Sequence, residues 1–257
     1  MILYFSAEGN SRYVAQRIAE ATGDAARSIE ELAPAGPLRL ELKSGEQLGI
    51  VSPTYFWELP HIVADALGRL ALDPDPERYA FFVATYGTTP GRTGVIAKGL
   101  LKRRGIRLDA RFAVRMPDTW TPIFDLSDPD RVTAQLARAD RQASQVAEKI
   151  AARERGSFMP LRTPAIARPV AHAAFLAARR TSRFRVLDAC VGCGLCERTC
   201  PAGAIRIEEG RPVWVKGSCE LCLGCLHRCP TFAIRYGSGS ATGEHGQYLH
   251  PSFKKAR

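Results

Sequence analysis

The sequence contains no cysteine in its first 189 residues, although the chain of 257 residues has eight. It also lacks any apolar run of about 18 residues, the length that a membrane-spanning helix requires. Its first residues lead directly into a short apolar segment, without the pattern of a secretory leader. These absences predict a protein without a transmembrane segment, and the expected compartment is the cytoplasm. The length allows one large domain or two ordinary ones.

Short apolar runs alternate with longer amphipathic runs over residues 1–153. The apolar runs predict strands over residues 2–5, 47–51, 79–85 and 111–116, with a further strand near residues 37–42. The amphipathic runs predict helices over residues 11–21, 61–70, 93–104 and 130–153. This order of elements predicts an α/β domain with a doubly wound parallel sheet that is covered by helices on both faces.

The eight cysteines form two copies of the motif C-x2-C-x2-C-x3-C-P, which are offset by 29 residues. The first copy contains Cys190, Cys193, Cys196 and Cys200, and the second contains Cys219, Cys222, Cys225 and Cys229. A disulfide scaffold is not expected in a chain of this size without a leader. Zinc ribbons lack the third cysteine two residues further on. The spacing instead predicts two 4Fe–4S clusters.

Each run of three closely spaced cysteines wraps around one cluster, and the fourth lies too far along the chain to close the same cluster. Cluster 1 is therefore predicted to take Cys190, Cys193, Cys196 and Cys229. Cluster 2 is predicted to take Cys219, Cys222, Cys225 and Cys200. Gly192, Gly194 and Gly224 are expected to let the backbone approach the inorganic core closely. Residues 188–236 are thus predicted to form a small α+β two-cluster domain for one-electron transfer.

Three loops follow the carboxyl ends of predicted strands, where doubly wound sheets bind ligands. The first leads into a helix N-terminus, which favours a phosphate, and contains Ser6, Glu8, Gly9, Asn10 and Ser11. The second contains Pro53, Thr54, Tyr55, Phe56 and Trp57. The third contains Thr85, Tyr86, Gly87 and Thr88. Their aromatic side chains either stack against a flavin ring or pack in the interior, and the first loop alone also fits an ordinary helix cap.

Taken together, the chain resembles the family of flavodoxin–ferredoxin fusions. The resemblance rests on the Tyr4-Phe5-Ser6 opening, the loops after residues 52 and 84, the segment 116–120 and the cysteines. It implies a flavodoxin strand order of 2-1-3-4-5 with FMN held by the three loops. It also implies that Ser6, Gly9, Asn10 and Ser11 hold the phosphate, and that the ring is surrounded by Thr54, Tyr55, Trp57, Tyr86, Gly87 and Trp120.

Glu8 departs from the family pattern, which has a second hydroxyl residue in the phosphate loop. A carboxylate that faces a phosphate repels it, and by Coulomb's law this repulsion costs roughly a few kcal/mol where the site is partly desolvated. Either Glu8 turns to solvent, or FMN binds weakly, or the site holds another ligand.

The segments outside the two domains have distinct compositions. Residues 154–187 form a basic connector with three prolines and a predicted short helix over residues 170–180. Its arginines either face solvent or offer a docking surface to an acidic redox partner or an anionic membrane. Residues 237–257 are rich in Gly and Ser and predict a flexible tail. The net charge of +10 falls to about +4 once two clusters and a flavin phosphate are counted, so no nucleic acid is expected.

The sequence therefore predicts an electron-transfer protein that relays single electrons between two 4Fe–4S clusters and FMN. One alternative is a flavin-dependent reductase, with a small substrate held beside Tyr55, Trp57 and Trp120. The other is a ferredoxin whose N-terminal half is a docking domain without flavin, an alternative that Glu8 keeps open.

Overall fold

The computed structural model describes residues 1–32, 36–160 and 168–253. Two modules follow one another, an N-terminal module over residues 1–157 and a C-terminal module over residues 168–253. The strands of the N-terminal module are β1 (Ile2–Tyr4), β2 (Ala26–Ser28), β3 (Leu38–Leu40), β4 (Leu48–Pro53), β5 (Leu70–Leu72), β6 (Ala80–Tyr86), β7 (Ala110–Arg115) and β8 (Gly156–Ser157). Its helices are α1 (Asn10–Thr22), α2 (Ile29–Leu32), α3 (His61–Arg69), α4 (Thr93–Arg103) and α5 (Pro129–Ala151).

Six of these strands form one parallel sheet in the order β2-β1-β4-β6-β7-β8. The central strands β4 and β6 are buried nearly throughout, because apolar cores cover both faces of the sheet. One core includes residues of α3 and α4, and the other includes residues of α1 and α5. The doubly wound α/β fold predicted from the sequence is confirmed.

The second strand of the sheet is not the one that the sequence predicts. It is β2, which pairs with β1, whereas the strand predicted near residues 37–42 is β3 and pairs with β5 in a separate two-stranded sheet. The reason is compositional, because β2 has only three residues, with a central exposed Arg27. So short a polar strand gives no apolar run in the sequence.

The C-terminal module begins with α6 (Arg168–Ala178) and repeats a small unit around each cysteine motif. Its further elements are β9 (Phe184–Val186), α7 (Leu195–Arg198), β10 (Ile205–Glu208), β11 (Arg211–Trp214), α8 (Gly224–Arg228), β12 (Ile234–Tyr236) and α9 (Ala241–Glu244). Strands β10 and β11 form one antiparallel pair, and β9 and β12 form the other. Each motif places a short helix, α7 or α8, between its second and fourth cysteines.

The predicted connector contributes a strand to each module, β8 at its start and β9 at its end. Several of its arginines are engaged inside the molecule. Arg179 Nε donates to the Cys219 carbonyl at 2.6 Å, and Arg185 Nη2 donates to the Gly239 carbonyl at 2.6 Å. Arg162 lies outside the described residues. The guanidinium groups of Arg179 and Arg185 are therefore held by intramolecular hydrogen bonds, which fits neither of the two alternatives of arginines free in solvent or free to dock a partner.

The segment predicted as a flexible tail is packed against both modules through residue 253. It forms α9 and then buries Tyr248 and His250. The prediction fails because it rests on the many Gly and Ser residues of this segment, whereas a few aromatic and histidine side chains make the specific contacts. Residues 254–257 lie outside the described residues. In the described part of the chain, no helix has the length and apolarity needed to cross a bilayer.

Candidate functional site

A cavity of about 250 Å³ lies at the carboxyl edge of the parallel sheet. Its walls come from the three predicted loops, from residues 116–124 and from the second cysteine motif. The lining residues are Ser6, Ala7, Glu8, Asn10, Ser11, Pro53, Thr54, Tyr55, Phe56, Trp57, Thr85, Tyr86, Gly87, Thr88, Thr89, Met116, Pro117, Asp118, Thr119, Trp120, Ile123, Phe124, Leu221, Cys222 and Leu223. One wall of the cavity therefore belongs to the cysteine-containing module.

The loop of residues 6–11, here called the phosphate loop, is held in shape by its own side chains. Ser6 Oγ accepts the Gly9 N–H at 3.1 Å, and Ser11 Oγ lies 2.8 Å from Thr85 Oγ1 at the end of β6. Gly9 has a left-handed backbone with φ of 101° and precedes the first residue of α1. The N-terminus of α1 thus faces the cavity, and its free amides and dipole favour an anion there.

Asn10 joins the phosphate loop to two other parts of the chain. Its Nδ2 donates to the Pro117 carbonyl at 3.3 Å, and its Oδ1 accepts the Tyr248 hydroxyl at 2.6 Å. The amide group is thus committed to positioning the loop.

Glu8 does not turn to solvent but is buried at the cavity wall. In the described structure its Oε1 has no hydrogen-bond partner. Burial raises the pKa of the Glu8 carboxyl to about 8, an effect that the nearby Arg228 guanidinium opposes. The carboxyl is therefore mostly neutral at pH 7, and a neutral carboxyl can donate a hydrogen bond as a hydroxyl group does. The repulsion that the sequence predicts between Glu8 and a phosphate is thereby weakened.

The second loop makes a tight turn at the mouth of the cavity. Phe56 and Trp57 both have left-handed backbones, with φ of 47° and 67°. The Tyr55 and Glu58 backbones exchange hydrogen bonds of 3.0 and 2.9 Å around them. Such a two-residue turn normally takes Gly or Asn, so the aromatic residues carry backbone strain. Strain of this kind is common where a loop is shaped for a ligand.

Two further polar atoms in the cavity wall have no partner within the described residues, Thr54 Oγ1 and Tyr55 Oη. Both are buried, and burial raises the pKa of Tyr55 well above its usual value. Because unpaired buried polar atoms are costly, these atoms and Glu8 Oε1 fit a ligand with several polar groups. The flat aromatic side chains beside them fit a ring system, so the lining suits a flavin.

The third loop closes against a residue that the sequence analysis missed. A side chain at Gly87 would collide with the Asp118 carboxylate, so the glycine is required for this approach. Asp118 Oδ1 accepts the Trp120 N–H at 3.1 Å, and burial raises the pKa of Asp118. Trp120 packs edge-on against Phe56 at 5.2 Å and against Tyr236 of the C-terminal module at 5.1 Å.

All the residues predicted to hold the cofactor line the cavity except Gly9. Gly9 lies on the outer side of the phosphate loop, under Phe253 and His250. Sequence reasoning missed Asp118, although it singled out the segment around it. It also missed Leu221 and Leu223, because nothing in a cysteine motif indicates that the residues between ligands face another module.

No disulfide joins any of the eight cysteines, all of which lie in the described part of the chain, and backbone amides point at several of them. Cys200 Sγ accepts the Ala204 N–H at 3.3 Å, and Cys229 Sγ accepts the Ala233 N–H at 3.2 Å. These two contacts occupy the same position in the two motifs. Burial raises the pKa of the Cys222 and Cys225 thiols well above the usual value, so these side chains ionise only when iron binds them.

The two cysteine loops follow the same backbone path with different residues. Gly192 and Gly194 have φ of 64° and 71°, and the residues at the matching positions, Leu221 and Leu223, have φ of 57° and 55°. Gly224, expected to approach the cluster closely, begins α8, where an added Cβ would meet Ala7 Cβ at 3.5 Å in ordinary contact. The spacing of the cysteines suits a cluster rather than a zinc ion.

Four contacts tie the cysteine module to the loops of the cavity. Arg228 Nε and Nη2 donate to the Ala7 carbonyl at 3.0 and 2.5 Å. Glu220 Oε2 accepts the Ile62 N–H at 3.0 Å. His172 Nδ1 lies 2.7 Å from Glu58 Oε2. His227 Nε2 lies 2.9 Å from the Thr119 carbonyl oxygen. His227 Nδ1 accepts the Tyr248 N–H, so Nε2 carries the proton and donates to Thr119. Burial lowers the pKa of His227 to about 4, which keeps it neutral.

Comparison with known proteins agrees with this geometry. Residues 1–136, more than half of the chain, match the family model of a flavodoxin domain, and residues 183–236 match that of a 4Fe-4S dicluster domain. The family matches support two 4Fe–4S clusters and FMN as the cofactors.

Curated relatives are similar to the cysteine module alone. One component of the ion-translocating oxidoreductase complex of Methanosarcina acetivorans is 44% identical over 45 residues, which cover 18% of this chain and 17% of the relative. A ferredoxin-like protein in the nif region of Nostoc sp. is 37% identical over 43 residues, which cover 17% of this chain and 35% of the relative. The chain therefore spans well under half the length of either relative.

Among solved structures, the rubredoxin oxygen:oxidoreductase of Desulfovibrio gigas is similar with a TM-score of 0.31 and 15% identity, covering 58% of this chain and 36% of that one. The Flv1 flavodiiron core of Synechocystis gives a TM-score of 0.29 with 16% identity, covering 58% of this chain and 36% of that one. These scores are too low to support an argument. The family matches do show the family of this chain. It belongs to the flavodoxin domain family, with a 4Fe–4S dicluster ferredoxin domain joined to the C-terminal side of the flavodoxin domain.

Proposed function

We propose that this protein relays single electrons, within one molecule, between the two 4Fe–4S clusters of its C-terminal module and FMN in its N-terminal module. The observation that carries the proposal is the position of Cys222. This predicted cluster ligand lines the same cavity as the flavin loops, between Leu221 and Leu223. A ligand of one cofactor therefore forms part of the wall around the other.

In this proposal the chain's own residues hold the two clusters and the FMN and keep water from the space between them. The cysteines would bind the clusters, and the three loops would bind FMN. The clusters supply one-electron chemistry, and the flavin accepts either one or two electrons. Leu221 and Leu223 are almost completely buried and form an apolar wall beside Cys222.

The contacts of Trp120 support the relay because they link the cavity to the cysteine module. Trp120 lines the cavity and also packs on Phe56 and Tyr236 at the junction of the two modules. The electron donor and acceptor outside the molecule are then redox partner proteins, and the excess of basic residues favours acidic ones.

The test is the kinetics of flavin reduction in the anaerobically purified protein. The preparation is first assayed for iron, sulfide and flavin, and eight irons with one FMN per chain are expected for two 4Fe–4S clusters and one flavin. Electrons are then delivered to the clusters by a light pulse with a photosensitiser, and the flavin absorbance is followed at several protein concentrations. A first-order rate that does not depend on concentration supports the relay. A rate proportional to concentration contradicts it.

A further inference from the structure

The last described residues of the chain, Gln247 to Phe253, run from the cysteine module to the outer side of the phosphate loop. We propose that this segment, here called the strap, contributes to flavin binding by holding the phosphate loop in position. The proposal rests on the function proposed above, since it concerns the binding of FMN at that loop. It assigns to the C-terminal residues a role in selecting the phosphate-bearing form of the flavin.

The strap contacts three consecutive residues of the phosphate loop. The His250 N–H donates to the Glu8 carbonyl at 2.8 Å. The Tyr248 hydroxyl donates to Asn10 Oδ1 at 2.6 Å. Between them, Phe253 lies so close to Gly9 that an added Cβ there would be 2.7 Å from Phe253 Cβ. The loop is thus supported from outside at the point where its inner side faces the cavity.

Aromatic packing holds the strap on the first turn of α1. The His250 ring stacks on Tyr13 with a centroid distance of 4.3 Å. The Phe253 ring lies near two guanidinium groups, those of Arg12 at 5.6 Å and Arg228 at 4.8 Å. Cation–π contacts of this kind restrain both partners. The strap thereby restrains two cations that lie beside the phosphate loop.

The other end of the strap is anchored on α8, between two cluster ligands. Gln247 Nε2 donates to the Leu226 and Cys229 carbonyls at 2.7 and 2.8 Å. The Tyr248 N–H donates to His227 Nδ1 at 3.1 Å. The strap therefore bridges the helix that carries Cys225 and the loop that faces the flavin cavity.

These contacts predict a selective effect on flavin binding. Apart from its anchor on α8, the contacts of the strap within the described residues are with the phosphate loop and the start of α1, and the loops predicted to surround the ring line other sides of the cavity. Loss of the strap therefore weakens binding of FMN, which has a phosphate, but not of riboflavin, which lacks one. A general loss of folding would weaken both.

The experiment measures the dissociation constants of FMN and riboflavin by fluorescence quenching, using protein that contains its clusters but no flavin. The variants are a chain ending at residue 246, Phe253→Ala and Tyr248→Phe. Tyr79→Phe is the matched control, because Tyr79 also donates a 2.6 Å hydrogen bond, to the Glu154 carbonyl far from the cavity. Iron content shows whether each variant is folded around its clusters.

We expect the truncation to raise the FMN dissociation constant at least about tenfold, and Tyr248→Phe to raise it about three- to tenfold, the worth of one hydrogen bond. Riboflavin affinity and the Tyr79→Phe control should be unchanged. Equal losses for FMN and riboflavin, or no loss for FMN in Tyr248→Phe and Phe253→Ala, would overturn the proposal. If the intact protein binds neither flavin, the proposed function itself fails, and that result is distinct from a strap without effect.

Discussion

Glu8 shows how the environment of one residue changes what it can do. On the sequence alone its carboxyl is a negative charge in a phosphate site. In the structure it is buried beside unpaired polar atoms, and its pKa of about 8 makes it a neutral hydrogen-bond donor at pH 7. Above that pKa it again becomes an anion.

The binding of FMN should therefore weaken as pH rises through 8. The phosphate monoester already carries nearly two negative charges at pH 7. A change in FMN affinity above that pH therefore reflects ionisation of the protein and not of the phosphate. The neutral form of Glu8 binds the anion better, so the dissociation constant should rise by up to about tenfold per pH unit above 8. Flavin fluorescence titrations between pH 6.5 and 9.5 measure this dissociation constant.

Two variants control this experiment. Glu8→Gln cannot ionise and should give a flat profile, and Glu8→Thr supplies a hydroxyl that does not ionise and should bind FMN more tightly than the wild type above pH 8. A wild-type profile as flat as that of Glu8→Gln would mean that Glu8 does not face the phosphate.

Leucine at a glycine position is tolerated in only one of the two cysteine loops. Leu221 adopts a left-handed backbone at the position that Gly192 occupies in the first motif. At Gly192 an added Cβ would lie 2.7 Å from the Gly210 carbonyl oxygen. The second loop has space for the side chain because it faces the flavin cavity.

We therefore expect Gly192→Leu to lose cluster 1 and to retain cluster 2. The clash with a backbone atom adds to a left-handed strain of about 1–2 kcal/mol. Iron analysis should fall from eight to four per chain, and the electron paramagnetic resonance of the reduced protein should lose the coupling between two clusters. Gly217→Leu, at an exposed glycine with open space around it, should keep all eight irons.

At the scale of elements, the cysteine module is attached to the N-terminus of α3. Glu220 Oε2 accepts the Ile62 N–H at 3.0 Å in the first turn of this helix. His61 and Arg179 lie 3.8 Å from the other carboxylate oxygen. A carboxylate at a helix N-terminus stabilises both the helix and the contact between modules.

Glu220→Ala should lower stability by about 1–2 kcal/mol, the usual cost of losing a helix cap. In a protein of this size the melting temperature should fall by about 2–8 °C. Circular dichroism of the anaerobic holoprotein measures it. Glu220→Gln keeps an acceptor and should lose less, and equal melting temperatures for Glu220→Ala and the wild type would contradict the anchoring role.

The elements differ in how far the sequence predicts them. Strands such as β6 are recognisable because they are buried on both faces and therefore apolar throughout. Strand β2 is not, since its neighbours in the sheet rather than its own three residues determine it. The strap is missed for the opposite reason, because Tyr248 and His250 are too few to outweigh the surrounding Gly and Ser.

The candidate site is predictable where chemistry sets the sequence pattern. Cysteine spacing and the loops after parallel strands are local features, so they predict the cluster ligands and most of the residues that line the cavity. The roles of Leu221, Asp118 and His250 depend on which segments meet in three dimensions. No local pattern of residues records those contacts.

At the scale of the whole molecule, charge gives a test of whether the relay works inside one chain. The net charge of the protein is +10 before cofactors are counted and remains positive, about +4, with them. Two copies therefore repel each other, and salt screens that repulsion. Exchange between copies should become faster as ionic strength rises.

Transfer within one molecule should not respond in this way. Its modules meet through buried apolar side chains and hydrogen bonds such as that from Arg228 to Ala7. We expect the first-order rate of flavin reduction to change less than about twofold between 0.05 and 0.5 M salt, as measured by flash photolysis. A rate that climbs steeply with salt would indicate collisions between molecules.

The unequal burial of the two cysteine loops has a consequence for their energies. Cys193 is exposed in the first motif, whereas Cys219 is buried in the second and Leu221 and Leu223 exclude water beside it. An added electron is less well stabilised in surroundings of low dielectric constant. Burial by itself would therefore lower the reduction potential of a cluster at the second site below that of a cluster at the first, and the proposed relay would then have a step in potential between the flavin cavity and the protein surface.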